Sequence, residues 1–443
     1  MRKFLLVILI GLSIAGCQRW GDSPHQAHVK NLVAEGLQEE AQRWESSARY
    51  ALSFPIGIQL PYAERRILNP EQSYRATAFV ASLAMDQRVA ITVEPSSNSR
   101  VPVFVDVFER QSGEPSFKRL ASKKQDQHQL LFEAPRQGQY IFRIQAGYRA
   151  RGLVNIIIAS QPKYIFPVLN THADAVKSFF GAARDGGKRQ HKGVDIFAEQ
   201  GTPVVSVSAG RVHKAATTPR GGNNIWIRQG EYSFYYAHLH DIHVQQGQTI
   251  STGQTIGTVG NSGNARTTRP HLHFGLYKGV RGAIDPYPLI DDSHSLLEQT
   301  ITEIELSPRW VAVKARELNV RAGPKLKADI VQTLRRHQLV QVEAVMADWL
   351  RVSTAEGFHG FIAREFIQQP NPTRWQLDQP YLVMAEPEMQ APVLSRLDAG
   401  EKVLSLGLFG PYRLITFAGG LQGWATVETP LLSTGDKQNR NET

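Results

Sequence analysis

Cysteine is almost absent: the 443 residues contain one, at position 17. A disulfide framework and any Cys-rich zinc or iron–sulfur site are thereby excluded. Long apolar runs are equally scarce. The one at the start, Phe4 to Ile14, falls short of the roughly 20 residues that span a bilayer, which argues against a polytopic membrane protein. Charged residues make up only 20% of the chain, and their formal net charge is +10. With 42% hydrophobic and 9% aromatic residues, the composition excludes a collagen-like chain and argues against a disordered or coiled-coil protein. The length predicts about two to four domains at roughly 100–200 residues each.

Arg2 and Lys3 precede the apolar run, and the small residues Ala15-Gly16 follow it, the layout of a secretory signal. The stretch Ser13-Ile14-Ala15-Gly16-Cys17 resembles a bacterial lipobox. That resemblance implies cleavage before Cys17, lipidation of Cys17, and attachment to a membrane through the lipid anchor, since two or more acyl chains anchor stably where one is marginal. An ordinary signal peptide ending at an incidental Cys is the alternative. Gln18, a residue other than Asp after the Cys, points in a Gram-negative cell to the outer membrane facing the periplasm. Removing residues 1–16 leaves a net charge of +8. A basic exported chain suits anionic surroundings such as cell wall or lipid head groups. Export, and the lack of a recognisable motif, argue against nucleic acid as a partner.

The pattern along the chain is mainly β and multidomain. Residues 17–25 read as a tether after a signal peptide at 1–16. Residues 26–161 read as an N-terminal helix plus a β-sandwich: Val29, Leu32, Val33 and Leu37 lie near helical spacing. Short apolar or alternating runs then follow at 76–80, 89–93, 101–107 and 140–144, with Pro102 suited to a strand start or an edge. Residues 162–290 are strand-rich and Gly-rich. Residues 291–310 read as a linker, with Leu296, Leu297, Ile301, Ile304 and Leu306 suggesting a connecting helix. The segments 311–370 and 376–432 share a plan of short strands and read as two copies of a small barrel.

The chemistry-bearing residues cluster in three places: His191-Lys192-Gly193-Val194-Asp195, Tyr235-Tyr236-Ala237-His238-Leu239-His240, and Pro270-His271-Leu272-His273-Phe274. Five of the 14 histidines lie there. Residues i and i+2 of a strand face the same side, so both rings of the third stretch can reach one cavity. Zinc accepts neutral imidazole and carboxylate, and a catalytic site holds three such ligands with a fourth position open. His191, Asp195 and one His of the third stretch would make such a triad, leaving other imidazoles for proton transfer near neutral pH. Taken alone, a His-x-His pair is more often incidental; the combination within about 85 residues is what gives it weight.

These motifs resemble the LytM/lysostaphin-type zinc metallopeptidases, endopeptidases of peptidoglycan. The matching residues run from Phe180-Gly181 through Arg184-Asp185-Gly186-Gly187, His191-x-Gly193-x-Asp195, Gly201-Thr202-Pro203-Val204, Ala209-Gly210-Arg211-Val212 and Tyr236-Ala237-His238-Leu239 to Gly257-x-Val259-Gly260-Asn261-Ser262-Gly263-Asn264 and Pro270-His271-Leu272-His273-Phe274. The resemblance implies a β-rich peptidase domain in which His191, Asp195 and His273 hold Zn2+ and His238 and His271 are catalytic. It also implies cleavage of peptide cross-links in the bacterial envelope, with peptidoglycan as the partner. Relatives that have lost ligands act as amidase regulators; all five positions are filled here. A catalytically silent wall-binding scaffold or amidase regulator, and a zinc peptidase acting on proteins, are the rival readings, and protein regulators remain open.

Other residues of the region read as structural. His213 and His243 are expected at the surface, and His240 mostly away from the site. Tyr235 and Tyr236 are expected in core packing as much as near a metal. Arg184 and Lys192 read as solvated charge, with contact to a stem-peptide carboxylate as the alternative. Loop 260–264 reads as a groove wall or a plain loop. Residues 311–370 resemble a bacterial SH3-like domain, carried by Leu318-Asn319-Val320-Arg321-Ala322-Gly323-Pro324, Trp349 and Gly360-Phe361-Ile362, and 376–432 a diverged copy with Trp424. In exported wall enzymes such modules commonly bind the wall; Trp349 and Trp424 are expected to pack their own barrel cores.

Overall fold

The computed structural model describes residues 22–68, 75–96, 102–110, 116–292 and 309–426. Cys17 and most of the expected linker helix lie outside the described residues. Among the described residues, no helix is long and apolar enough to cross a membrane.

The first described element begins inside the expected tether. Ser23 caps helix Pro24–Ala34 through a capping box with Gln26, with Pro24 in the first turn. His25, placed in the tether by sequence, is buried and stacks at 4.2 Å on Trp44 of helix Gln38–Ser53. The two helices pack on the five-stranded sheet Ile56–Gly57, Thr77–Leu83, Gly138–Ala146, Val103–Arg110, Phe117–Ser122, in that order. A second layer holds Tyr62–Leu68, Gly152–Gln161, Arg88–Ser96 and Gln129–Glu133. Inward residues of both layers, among them Phe79, Ile91, Phe142, Ile144 and Ile156, form one core, the arrangement of a β-sandwich.

That second layer does not stop at the sandwich. Strand Tyr62–Leu68 pairs antiparallel with Leu339–Val345 of the first C-terminal barrel, Arg65 opposite Val345, so an 11-stranded sheet runs through both units. Phe361 and Met346 of the barrel sit in the sandwich core, and Trp349 packs against it rather than in its own barrel. At the seam lies a fully buried carboxylate, Glu64. It accepts from Tyr62 Oη at 2.7 Å, Arg66 Nη2 at 2.7 Å and Arg351 Nε at 3.0 Å. Burial alone would raise its pKa, but Arg351 and Arg66 hold it below the usual carboxylate range. Arg351 also reaches Glu343 at 3.1 Å.

Both C-terminal stretches share one strand order. In the first it is Ile330–Arg335, Glu317–Arg321, His359–Ala363, Trp349–Ser353, Leu339–Val345; in the second, Val393–Leu397, Tyr381–Met384, Leu421–Thr426, Tyr412–Phe417, Lys402–Phe409, with Thr373–Gln376 added ahead of residue 376 on the edge of the last. Trp424 is buried between the barrels, 4.6 Å from the Trp310 ring.

The Gly-rich segment builds a sheet in the order Val176–Ser178, Val194–Phe197, His271–Lys278, Tyr232–Leu239, Gly222–Gln229, Gly210–Thr218, Thr249–Ile250, with Ala283–Ile284 pairing His271–Lys278 from the side. The N-terminal sandwich grips this sheet at one end: Lys278 Nζ meets Asp86 Oδ1 at 2.8 Å, and Tyr232 Oη donates to Asp86 Oδ2 at 3.0 Å. Lys278 is seven residues beyond His271 on one strand, about 23 Å at about 3.3 Å per residue.

The seam yields a stability prediction. Arg351→Ala leaves the buried Glu64 with one guanidinium fewer and is expected to cost about 3–5 kcal/mol, read by urea unfolding. Burial would raise the Glu343 pKa, but His359 and Arg351 bring it down to about 2. A depressed carboxylate stabilises the fold above its unfolded-state pKa and loses that contribution as pH falls through the folded value. Stability of the wild type should therefore drop between pH about 4.5 and 2, and less so in Glu343→Gln; equal acid profiles would contradict this.

Candidate metal and catalytic site

Two antiparallel strands create the site. Val194–Phe197 pairs with His271–Lys278 so that Asp195 lies opposite His273 and Phe197 opposite His271. Val194, Ile196, Leu272, Phe274 and Leu276 point into the core. By strand alternation Asp195, His271 and His273 share the other face. His191 enters from a short hairpin, Ala183–Arg184 with Arg189–Gln190, where its backbone N–H donates to Ala182 O at 2.8 Å.

Three donor atoms converge. His191 Nε2 lies 3.0 Å from His273 Nδ1 and 3.0 Å from Asp195 Oδ1, and His273 Nδ1 lies 2.9 Å from Asp195 Oδ1. His191 Nδ1 donates to Phe179 O at 3.0 Å, so the neutral ring presents a lone pair on Nε2 to a carboxylate oxygen. A cation relieves that juxtaposition of acceptors. Bonds of about 2.0–2.1 Å to a tetrahedral ion set its ligand atoms about 3.3 Å apart, close to the observed triangle. The three residues can hold a metal ion. Burial would raise the Asp195 pKa, but the His191 and His273 rings hold it far below the usual range. Burial pushes the His273 ring down.

Two further imidazoles flank the triangle. The His271 and His238 ring centroids are 5.2 Å apart, and His238 is 5.9 Å from His273. His271 Nδ1 donates to Arg269 O at 2.8 Å, and the ring stacks at 5.0 Å on Phe197. His238 Nδ1 donates to Ser262 O at 2.9 Å. Burial first, then the His273 and His271 rings, push His238 down to about 4, so it is neutral at pH 7. In both flanking rings the Nδ1 hydrogen bond leaves Nε2 as the nitrogen available for chemistry.

His238 reaches this face against the simple strand rule. Phe234 and Tyr236 point into the core, and strict alternation would send His238 after them. Instead the pairing slips between Ile225/Tyr236 and Asn223/Leu239, a bulge, and Leu239 takes the core position. His238 itself adopts φ +63°, the left-handed region that non-glycine residues rarely occupy. Loop 260–264, expected as a groove wall or plain loop, holds the ring in place: Ser262 O binds His238, and Ser262 Oγ ties Asn223 N at 2.9 Å to Leu239 O at 2.7 Å. Gly222 lies so close to Ser262 and Gly263 that a Cβ there would enter their backbone.

Arg184, read from sequence as solvated charge or a substrate contact, forms an ion pair that neither reading included. Its Nη2 donates to Asp195 Oδ2 at 2.7 Å, the oxygen not facing the triangle. The hairpin that carries His191 brings this guanidinium back over Asp195, and the spacing of Arg184 from Asp195 gives no hint of it. Gly193 is a second supporting position. A Cβ there would meet the Phe274 carbonyl and sit 2.9 Å from His273 Cε1. Tyr236 is a core residue whose Oη accepts from Val207 N at 3.0 Å. Tyr235 stacks at 4.4 Å on Trp226 and lies 5.8 Å from His273. His240 pairs with Asp241 at 2.8 Å away from the site; Lys192, His213 and His243 are exposed.

Comparison with known proteins bears on the same stretch. Residues 189–286 match the peptidase family M23, and residues 316–368 match the bacterial SH3 domain. The L-Ala–D-Glu endopeptidase of Bacillus subtilis is 38% identical over 138 residues, covering 28% of this chain and 42% of that protein. The peptidoglycan DD-endopeptidase ShyA of Vibrio cholerae is 43% identical over 93 residues, covering 21% of each chain. The chain thus spans less than half the length of either relative. Among solved structures, the catalytic domain of lysostaphin from Staphylococcus simulans is 32% identical, with 26% of this chain and 92% of that one covered and a TM-score of 0.24. Members of the M23 family generally use zinc. Residues 189–286 are a peptidase M23 domain of the LytM/lysostaphin type, followed in the same chain by a bacterial SH3 domain.

Proposed function

We propose that the chain is a zinc-dependent endopeptidase that hydrolyses peptide cross-links of peptidoglycan. The observation that carries this reading is the triangle of His191 Nε2, Asp195 Oδ1 and His273 Nδ1 with two more imidazoles beside it. A bound zinc ion supplies Lewis acidity, lowering the pKa of a water to about 7 and polarising a carbonyl. The flanking rings do the proton work. One accepts the proton of the attacking water at its free Nε2; the other, once it carries a proton on Nε2 as well as on Nδ1, donates a hydrogen bond to the oxyanion as the tetrahedral centre forms. The C–N bond then breaks, the nitrogen leaves as an amine with the transferred proton, and the carbonyl side leaves as a carboxylate. Their Nδ1–carbonyl hydrogen bonds fix both tautomers before substrate arrives.

The place of action follows from the same reading: the cell envelope, with the chain lipid-anchored at Cys17 in the outer membrane facing the periplasm. Support for the anchor is the lipobox-like run ending at the chain's single Cys. The two relatives named above cut different bonds by their names, so the scissile bond is assigned by product mass.

Digestion of purified sacculi tests the reading. Zinc-loaded residues 18–443 are expected to release cross-linked dimers as monomers. His271→Ala should lower that rate by about 10²–10⁴-fold while retaining zinc, and EDTA should abolish it. Zinc binding without cleavage in the wild type would favour a wall-binding regulator instead.

The support around Asp195 gives a separate prediction. Arg184→Ala is expected to weaken zinc binding by about 10–100-fold, read by competition with a chromogenic chelator, and Arg184→Lys should recover part of the loss. Unchanged affinity in Arg184→Ala would remove the guanidinium from the metal site's support.

A further inference from the structure

The sheet face that carries the His191–Asp195–His273 triangle continues well beyond it. Ile225, Ile227, Phe234, Tyr236 and Leu276 are buried in the core. Strand alternation therefore turns Trp226, Tyr235 and Tyr277 outward, on the face of His273. Their rings form a continuous floor. Tyr235 lies 5.8 Å from His273 and 4.4 Å from Trp226, and Trp226 lies 5.1 Å from Tyr277. All three aromatic residues are partly exposed.

Beyond the rings the face turns cationic. Lys214 stands directly opposite Trp226, and Arg211 directly opposite Arg228. All three cations are exposed, and they point outward because Val212, Ile225 and Ile227 between them face the core. Like charges set directly opposite on two strands destabilise a sheet. The four strands here, Gly210–Thr218, Gly222–Gln229, Tyr232–Leu239 and His271–Lys278, contain no Asp or Glu to offset them. Glu231, in the hairpin between two of these strands, answers Lys278 at 3.5 Å. Arg211 Nε donates to the Gly247 carbonyl. Among the described residues, the side chains of Lys214 and Arg228 have no hydrogen-bond or ion-pair partner. An opposed Arg–Arg pair beside two unanswered cations is a cost that an anionic ligand removes.

We propose that this face is a specificity subsite of the peptidase, on which the cross-linked peptide lies across Tyr235 and Trp226 and places a free carboxylate on Lys214 and Arg228. The proposal rests on the peptidoglycan reading above for its choice of ligand. Lys214 and Arg228 are diagonal neighbours on adjacent strands, so one carboxylate can meet both. The Lys214 backbone is three strands and two residues from His273, about 16 Å at ~4.8 Å between strands and ~3.3 Å per residue. An extended peptide of about five residues spans that distance. The subsite thus selects acidic stem peptides over neutral bridges. A neutral peptide leaves the cations idle, and a lipid head group leaves the rings idle.

The probe is the cross-linked muropeptide dimer released from sacculi by a muramidase, used as isolated and with its carboxylates amidated. Both forms are titrated calorimetrically into the full zinc-loaded chain carrying His271→Ala, which suppresses turnover. The amidated dimer is expected to bind about tenfold or more weakly than the native one, the scale of one charge-assisted hydrogen bond. Lys214→Ala and Arg228→Ala, added singly, should weaken the native dimer by a similar factor without lowering the thermal midpoint. The amidated dimer should show no such loss in either variant. Trp226→Leu, which removes the flat ring, should weaken both dimers alike. Equal affinity for the two dimers overturns the proposal, as does a loss in Lys214→Ala that is the same for both. Binding to phosphatidylglycerol vesicles with none to the dimer overturns it too. Carboxylate-selective binding in a chain whose wild type cuts no sacculi would sink the enzyme reading and leave the subsite standing. Cleavage of sacculi with equal affinity for both dimers would do the reverse.

Discussion

The register between Val194–Phe197 and His271–Lys278 is the constraint on which the site depends. It is fixed by hydrophobic burial, since Val194, Ile196, Leu272, Phe274 and Leu276 must all face one core. A slip of Val194–Phe197 by one residue would turn Val194 and Ile196 away from the core and Asp195 into it. The cost of such a slip falls on the apolar face, yet its consequence is felt on the polar one. The candidate site is thus held by the core side chains behind it, and Asp195, His271 and His273 need contribute little to keeping themselves in place. Gly193 belongs to the same constraint, because only a residue without Cβ lets the chain pass His273 and the Phe274 carbonyl at this separation.

His238 is the part of the site that the register does not supply. It arrives through a bulge and a left-handed backbone, a conformation that costs of order 1–3 kcal/mol and persists where surroundings over-determine it. Here the surroundings are Ser262, which binds both the ring and the bulged backbone, and the close approach of Gly222 to Gly263. Strain of this kind is stored where a side chain must face away from the direction its strand would give it. The hydrogen bond to Ser262 O also selects the tautomer, so one contact sets both orientation and proton position.

These two mechanisms explain what the sequence made legible. His271 and His273 share a face by period two, and the β-rich multidomain character follows from short alternating runs, so both could be read directly. His191 and Asp195 could be matched by spacing. The route of His238 could not, because a bulge leaves no signature in Tyr235-Tyr236-Ala237-His238. The ion pair of Arg184 with Asp195 could not be read because it depends on a hairpin folding back over Asp195. The tether was drawn too long because the burial of His25 depends on Trp44, 19 residues away, and because the local Ser23–Gln26 capping box that starts the helix was passed over. Trp349 was assigned to its own barrel because nothing local shows that a strand of the sandwich continues the barrel's sheet.

That shared sheet gives the molecule its working geometry. The seam around Glu64 joins sandwich to barrel through backbone pairing and a buried ion cluster, and the Asp86–Lys278 contact joins sandwich to the M23 domain. The sandwich is therefore the frame to which both other units are fixed. It grips strand His271–Lys278 at Lys278, and the His271 end, with Asp195 and His273 beside it, lies at the other end of the same strand.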